Sequence, residues 1–232
     1  MLVLAVDSST AQASIALVDG EKVLAQEYSN NPKSHSEFIN PAINSVLAQA
    51  RKEFSDIGLL AVDIGPGSFT GVRVAVNIVK TFSFLLSKPI FVYNSLALLQ
   101  TQVQLVSRQD CIAMINAYKN MVYFSFSRPG EIATQPEAIA IDHLEKKIQD
   151  LSLEFNIDKP VLCVGDGYNA YSPYFSSQLH QMLARQQDCD DFPRAVSLGL
   201  LAAKNPVATL DWKSVIPLYL RASAAEENMQ TR

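Results

Sequence analysis

The residues best placed to do chemistry lie in a seven-residue loop, Gly65-Pro66-Gly67-Ser68-Phe69-Thr70-Gly71, between an apolar strand and a helix. Its glycines permit positive φ and close backbone approach, and the helix start offers unpaired amides to an anion. That chemistry would be phosphate binding. The loop is not a P-loop, since no Lys-Ser/Thr follows, and G-x-G-x-x-x-G has one residue too many for the dinucleotide fingerprint. It reads equally as a tight strand-to-helix turn with no ligand. A second candidate is Asp7, followed by Ser8-Ser9-Thr10, at the end of the first apolar run. A carboxylate beside hydroxyls can hold a Mg²⁺–phosphate. The preferred reading is an Asp that closes its own turn on backbone amides, because this turn has no glycine to admit a phosphate.

No nucleophilic or metal-ligating set joins these loops. His35, His143 and His180 are scattered, without histidines or carboxylates at ligand spacing. Ser68 and Thr70 read as helix caps rather than nucleophiles. Cys111, Cys163 and Cys189 lie far apart with no C-x-x-C, which reads as ordinary thiols of a reduced intracellular protein.

The elements that must position the two loops follow from periodicity. Leu2–Val6, Ser14–Val18 and Val23–Tyr28 read as three antiparallel strands, the last two joined at Asp19-Gly20. A helix over Ser34–Arg51 opens with an S-x-x-E capping box, Ser34 and Glu37, and Pro41 inside it should kink the helix or mark a false start. Strand Leu59–Ile64, helix Thr70–Leu86, strand Pro89–Tyr93 and helix Ser95–Val106, capped by Ser95, complete a first half. The pattern then restarts with strands Cys111–Asn116 and Val122–Phe126, helix Asp142–Gln149 and strand Val161–Gly165. Helical stretches Tyr174–Arg185 and Val196–Lys204, a last strand Val215–Leu220 and a frayed polar tail from Ser223 close the chain. Two similar α/β halves are expected, 1–105 and 106–232, without a sequence repeat between them.

Composition narrows the function classes. The chain has 232 residues, 48% hydrophobic and 18% charged, as expected of a globular protein with a sizeable core. A net charge of −4 argues against a basic groove holding nucleic acid unaided. The N-terminal apolar run reaches Asp7 at once and reads as a strand rather than a leader. Arg73, Asn77 and Lys80 interrupt the long apolar stretch Val72–Leu86, which argues against a membrane span and for a cytoplasmic protein.

Val3-Leu4-Ala5-Val6-Asp7-Ser8-Ser9-Thr10, His35-Ser36-Glu37, Gly65-Pro66-Gly67-Ser68-Phe69-Thr70-Gly71-Val72-Arg73 and Pro217-Leu218-Tyr219-Leu220-Arg221 together resemble the bacterial TsaB (YeaZ) family. The resemblance implies a two-domain actin/Hsp70-like (sugar-kinase-like) ATPase fold. It implies a role in making N6-threonylcarbamoyladenosine in tRNA, as a non-catalytic paralogue that pairs with the TsaD transferase and is joined by the TsaE ATPase. The phosphate-loop-like positions are then Asp7, Ser9, Thr10, Gly65, Gly67, Ser68 and Gly71. Ser9 stands where ATP users of the superfamily place a glycine. Of the relatives' two metal-binding histidines at i and i+4, only His35 is present, with Ile39 at the second position. No catalytic residue or metal site is expected, and ATP and metal are assigned to the partners. Asn116 and Tyr118 replace the family's Asp and Arg.

The helix after the glycine loop is apolar nearly all round, so it must be covered on two sides, by its own sheet and by a second helix or another protein. The expected partner seam, a four-helix arrangement, carries His35, Phe38, Ile39, Ile43, Val72, Val76 and Val79. It would serve the TsaD-like homologue or, when that is missing, a second copy of the chain, with tRNA contact peripheral at most. On this expectation Val76→Glu abolishes pairing and leaves the monomer folded. The alternatives are a free-standing kinase-like enzyme, with Asp7 and Asp63 holding Mg²⁺, and a metallopeptidase.

Overall fold

The central strands are short continuous apolar runs, buried along their whole length in β-strands Leu2–Asp7 and Leu59–Asp63, so successive side chains supply a core on each face of the sheet. The structure is a computed structural model that describes residues 1–29, 35–186 and 190–222. The capping-box Ser34, Cys189 and the tail from Ser223 lie outside those residues. The chain divides into two compact units: Met1–Leu98 with Pro193–Tyr219, and Leu99–Phe192 with the chain from Leu220 onward.

The first unit opens with β1 (Leu2–Asp7), β2 (Ala13–Asp19), β3 (Lys22–Ser29) and α1 (His35–Ala50), followed by β4 (Leu59–Asp63), α2 (Phe69–Leu86) and β5 (Ile90–Tyr93). Helix α3 (Ser95–Ser107) carries the chain into the second unit. That unit contains β6 (Cys111–Asn116), β7 (Met121–Ser127), β8 (Glu137–Ala140), α4 (Ile141–Glu154), β9 (Val161–Val164), α5 (Asp166–Tyr171), α6 (Ser177–Met182) and β10 (Leu183–Ala184). Helix α7 (Ala195–Lys204) and β11 (Thr209–Leu210) belong to the first unit again. This differs from the expected division at 105, because α7 packs on β1 and β2 and β11 pairs with β5.

The sheets run β11-β5-β4-β1-β2-β3 and β10-β9-β6-β7-β8. Apart from β11 the two orders are the same, strand for strand, and each unit repeats β-β-β-α-β-α. The duplication is legible in topology and not in sequence. In the first unit Leu4 and Val6 face α1 and α2, where Ile39, Ile43, Val72, Val76 and Val79 are buried. Val3 and Ala5 face the other way, onto Leu198 and Ala202 of α7. Gly199 keeps that layer thin, since a Cβ there would stand 3.3 Å from the Ala5 methyl.

Helix α1 runs through Pro41, which is exposed. Two local expectations differ from the structure. Asn94, not Ser95, caps α3, its Oδ1 accepting the Ala97 amide at 2.8 Å. No strand forms over 215–220, where Pro217 has no amide to give a ladder. The segment instead lies along α2 as a strap. Tyr219 meets Arg73 (Nε to Oη 2.8 Å), the Val215 carbonyl accepts from Lys80 at 3.0 Å, and Trp212 packs edge-on to Phe84 at 5.4 Å. By length and mean hydropathy, 1.4 over 18 residues, α2 would suffice to cross a membrane, yet one side of it packs on the sheet.

Candidate functional site

The phosphate-loop-like residues do come together, at the ends of β1 and β4 and the start of α2. Gly65 has φ +94°, and the Gly65–Pro66 peptide is cis. A Cβ on Gly67 would stand 2.0 Å from the Ser9 carbonyl oxygen, and one on Gly71 2.0 Å from that of Ser8. These glycines therefore allow backbone to lie directly on backbone. The Ser68 amide donates to the Ser9 carbonyl (2.6 Å), and the Ser8 hydroxyl donates to the Gly71 carbonyl (2.8 Å). Ser68 is the N-cap of α2, its Oγ accepting the Gly71 amide at 3.2 Å. The Thr10 hydroxyl lies 3.4 Å from the Gln12 carbonyl.

The Ser9, Gly65, Ser68 and Gly71 amides are already bonded within the loops, and carbonyl oxygens, which repel an anion, face the glycines. Asp7, Ser8 and Ser9 are fully buried.

Asp7 and Asp63 form the polar centre where these loops meet. Asp7 Oδ1 accepts the Ser9 amide at 2.9 Å, closing an i to i+2 turn. Asp63 Oδ1 accepts the Gly65 amide (2.8 Å) and the Ser95 hydroxyl (2.7 Å), and its Oδ2 accepts the Ser9 hydroxyl (3.1 Å). Burial pushes the Asp7 carboxyl up to about 6. Burial and the neighbouring Asp7 charge raise Asp63 well above the carboxylate range. Asp7 Oδ2 is buried without a hydrogen-bond partner, and the raised carboxyls leave the pair holding a proton where two free carboxylates would both be ionised. In the sequence Ser8 reads only as one hydroxyl of the cluster after Asp7 and Ser95 only as a helix cap; neither is placed there against Gly71 or Asp63. A hydroxyl following a strand end was their only signal.

His35 is neither a surface residue nor part of a ligand pair. It is buried, with Nε2 donating to the Thr10 carbonyl at 3.0 Å, and burial lowers its pKa. No group of three or more His, Cys, Asp or Glu at metal-holding distance occurs among the described residues.

The expected seam residues are corrected by the structure. Ile39, Ile43, Val72, Val76 and Val79 are all within 2% of full burial, packed under the sheet, and Phe38 is half-buried. An amphipathic helix gives its most aliphatic stripe to its own core first. Val76→Glu therefore places a carboxylate in that core, with an expected loss of about 3–5 kcal/mol. Circular dichroism of the variant checks this, and a native melting curve would contradict it. The outward face of α2 carries Thr70, Arg73, Asn77, Thr81 and Leu85, flanked by the strap. At its start the Arg73 guanidinium lies 3.7 Å over the Phe69 ring and 5.5 Å from that of Tyr219.

The second unit repeats the turn chemistry. Asn116 stands at the end of β6 as Asp7 does at the end of β1, its Oδ1 accepting the Tyr118 amide at 2.8 Å. Gly165 (φ +100°) opens α5, and a Cβ there would lie 2.1 Å from the Met114 carbonyl. Asp166 accepts the Asn116 amide at 2.9 Å, and burial pushes its carboxyl up to about 6. The Gly165-Asp166-Gly167 trio is thus a strand-to-helix junction packed on β6.

Two units with one strand order, and strand-end loops meeting a helix start, define the actin-like ATPase fold. The ethanolamine utilization protein EutJ from Carboxydothermus hydrogenoformans shares it, with TM-score 0.52, 12% identity, and coverage of 86% of this chain and 90% of that one. YeaZ from Pseudomonas aeruginosa superposes with TM-score 0.74 at 22% identity, covering 94% of this chain and 99% of its own. The family model described as TsaD, tRNA N6-adenosine threonylcarbamoyltransferase, matches residues 22–229. Among curated relatives, the tRNA threonylcarbamoyladenosine biosynthesis protein TsaB of Haemophilus influenzae is 35% identical over 127 residues, 54% of this chain and 53% of that protein. The protein of that name from Buchnera aphidicola subsp. Schizaphis graminum is 30% identical over 173 residues, 72% of this chain and 79% of its own. The chain belongs to the TsaB (YeaZ) family.

Proposed function

We propose that this chain is a non-catalytic subunit in the formation of N6-threonylcarbamoyladenosine in tRNA. It pairs with and activates a homologous TsaD-type transferase, together with a TsaE-type ATPase, in the cytoplasm. The supporting observation is the closed glycine loop, where peptide carbonyls and a proton-holding carboxyl pair occupy the ground a phosphate would need. ATP and metal then belong to the partners. With a net charge of −4, the chain touches tRNA at its periphery at most. Titration of ATP into the chain alone, followed by calorimetry, is expected to give no saturable heat. A stoichiometric isotherm would overturn the reading in favour of a kinase-like enzyme.

The pairing face is the outward side of α1 and α2, used by a second copy of the chain when the partner is missing. Asn77, exposed in the middle of α2, tests it. Asn77→Glu is expected to abolish co-purification with the TsaD-type homologue while the melting curve stays native. Undiminished co-purification would place the face elsewhere.

A further inference from the structure

In the first unit α2 runs for 18 residues, whereas its counterpart in chain order, α5, stops after 6, where Ser172-Pro173-Tyr174 forms a 3-10 turn. A cavity of about 810 Å³ lies between this turn, the first turn of α4 and the Lys119-Asn120 turn. That volume is within the roughly 300–1,000 Å³ of small-molecule sites. Its wall carries three rings, Tyr171, Tyr174 and Phe175, and two carboxylates, Asp142 and Glu145, against a single lining cation, Lys119.

The rings are held differently. The Tyr171 hydroxyl is tied to Asn116 Oδ1 at 3.1 Å, and Phe175 packs edge-on to Tyr168 at 5.6 Å. Tyr174 is 77% exposed and stacks on no other ring among the described residues. Glu145 is oriented by the Ser176 hydroxyl and by Gln149 Nε2. Asp142 accepts no hydrogen bond among the described residues. Aromatic faces are the negative ends of ring quadrupoles, and beside carboxylates they favour a cation that keeps an apolar stem.

We propose that this cavity binds an organic cation, a guanidinium or ammonium head on a short apolar stem, with Tyr174 and Phe175 as ring wall and Asp142 and Glu145 as counter-charge. The proposal stands apart from the pairing role. It is tested by titrating the full chain with argininamide and, as a neutral isostere, citrullinamide, both followed by calorimetry. The expected result is saturable 1:1 binding of argininamide alone, weakened about 5–10-fold by Tyr174→Ala and by Asp142→Asn. Both positions are exposed, so native melting curves are expected for the two variants. Absence of saturation, equal binding of citrullinamide, binding of AMP in its place, or unchanged affinity in both variants would overturn the proposal. A blocked Gly-Arg-Gly peptide separates the sources of the cation. Tighter binding than argininamide identifies a protein side chain as the ligand, and equal or weaker binding identifies a free small cation.

Discussion

Gly71→Ala will destabilise the first unit by at least about 3 kcal/mol, although alanine is the better helix former by roughly 1 kcal/mol. The new methyl would stand 2.0 Å from the Ser8 carbonyl oxygen, and backbone on both sides leaves nothing flexible to yield. To admit it, the start of α2 must part from the end of β1, breaking the Ser8 hydroxyl bond to Gly71 and the Ser68 amide bond to Ser9. For a chain of this size the loss corresponds to about 6–12 °C in Tm, read by circular dichroism. Gly67→Ala meets Ser9 in the same way and is expected to behave alike. An unchanged Tm in both variants would mean that the loops stand open, as a phosphate site requires.

Stability will fall as pH rises from about 4 through neutrality, and Asp63→Asn will flatten that fall. Both carboxyls titrate near 4 in the unfolded chain. In the folded chain burial holds Asp7 up to about 6, and burial with the Asp7 charge raises Asp63 well above the carboxylate range. The folded state therefore keeps more protons than the unfolded one above pH 4, and stability is lost as pH climbs through the folded values. The slope is up to about 1.4 kcal/mol per pH unit for each retained proton. An asparagine at 63 can still accept the Gly65 amide and places no second charge beside Asp7. Urea midpoints at pH 5, 6.5 and 8 should converge at the acid end and favour the variant at the alkaline end. A wild-type midpoint that is flat or rises relative to the variant would contradict the retained proton.

Much of the first unit was legible because its signals are local. Asp19-Gly20 marks the hairpin, and short continuous apolar runs mark β1 and β4. The glycine spacing marks the junction into α2. The use of those glycines was not legible, since a glycine that admits a phosphate and one that admits a peptide carbonyl are the same residue. Only the position of Ser8 and Ser9, more than fifty residues earlier in the chain, separates the two cases. The orientation of α2 was hidden for a related reason. With Arg73, Asn77 and Lys80 as its principal polar residues, periodicity leaves two apolar sides, and Val76 and Phe84 look alike in sequence. Packing buries Val76 to 2% and leaves Phe84 62% exposed beside Trp212. The 215–220 run shows β-type residues, but Pro217 and the sidewise contacts to Arg73 and Lys80 make it a strap.

A chain that acts by pairing with a TsaD-type homologue, rather than by chemistry of its own, must form a complex with it in solution. Light scattering of the purified chain, alone and mixed with that homologue from the same organism, reads this out. A new species with the mass of a 1:1 complex is the predicted result. Two unchanged peaks at concentrations above about 10 μM, where even a micromolar complex would be populated, would contradict it.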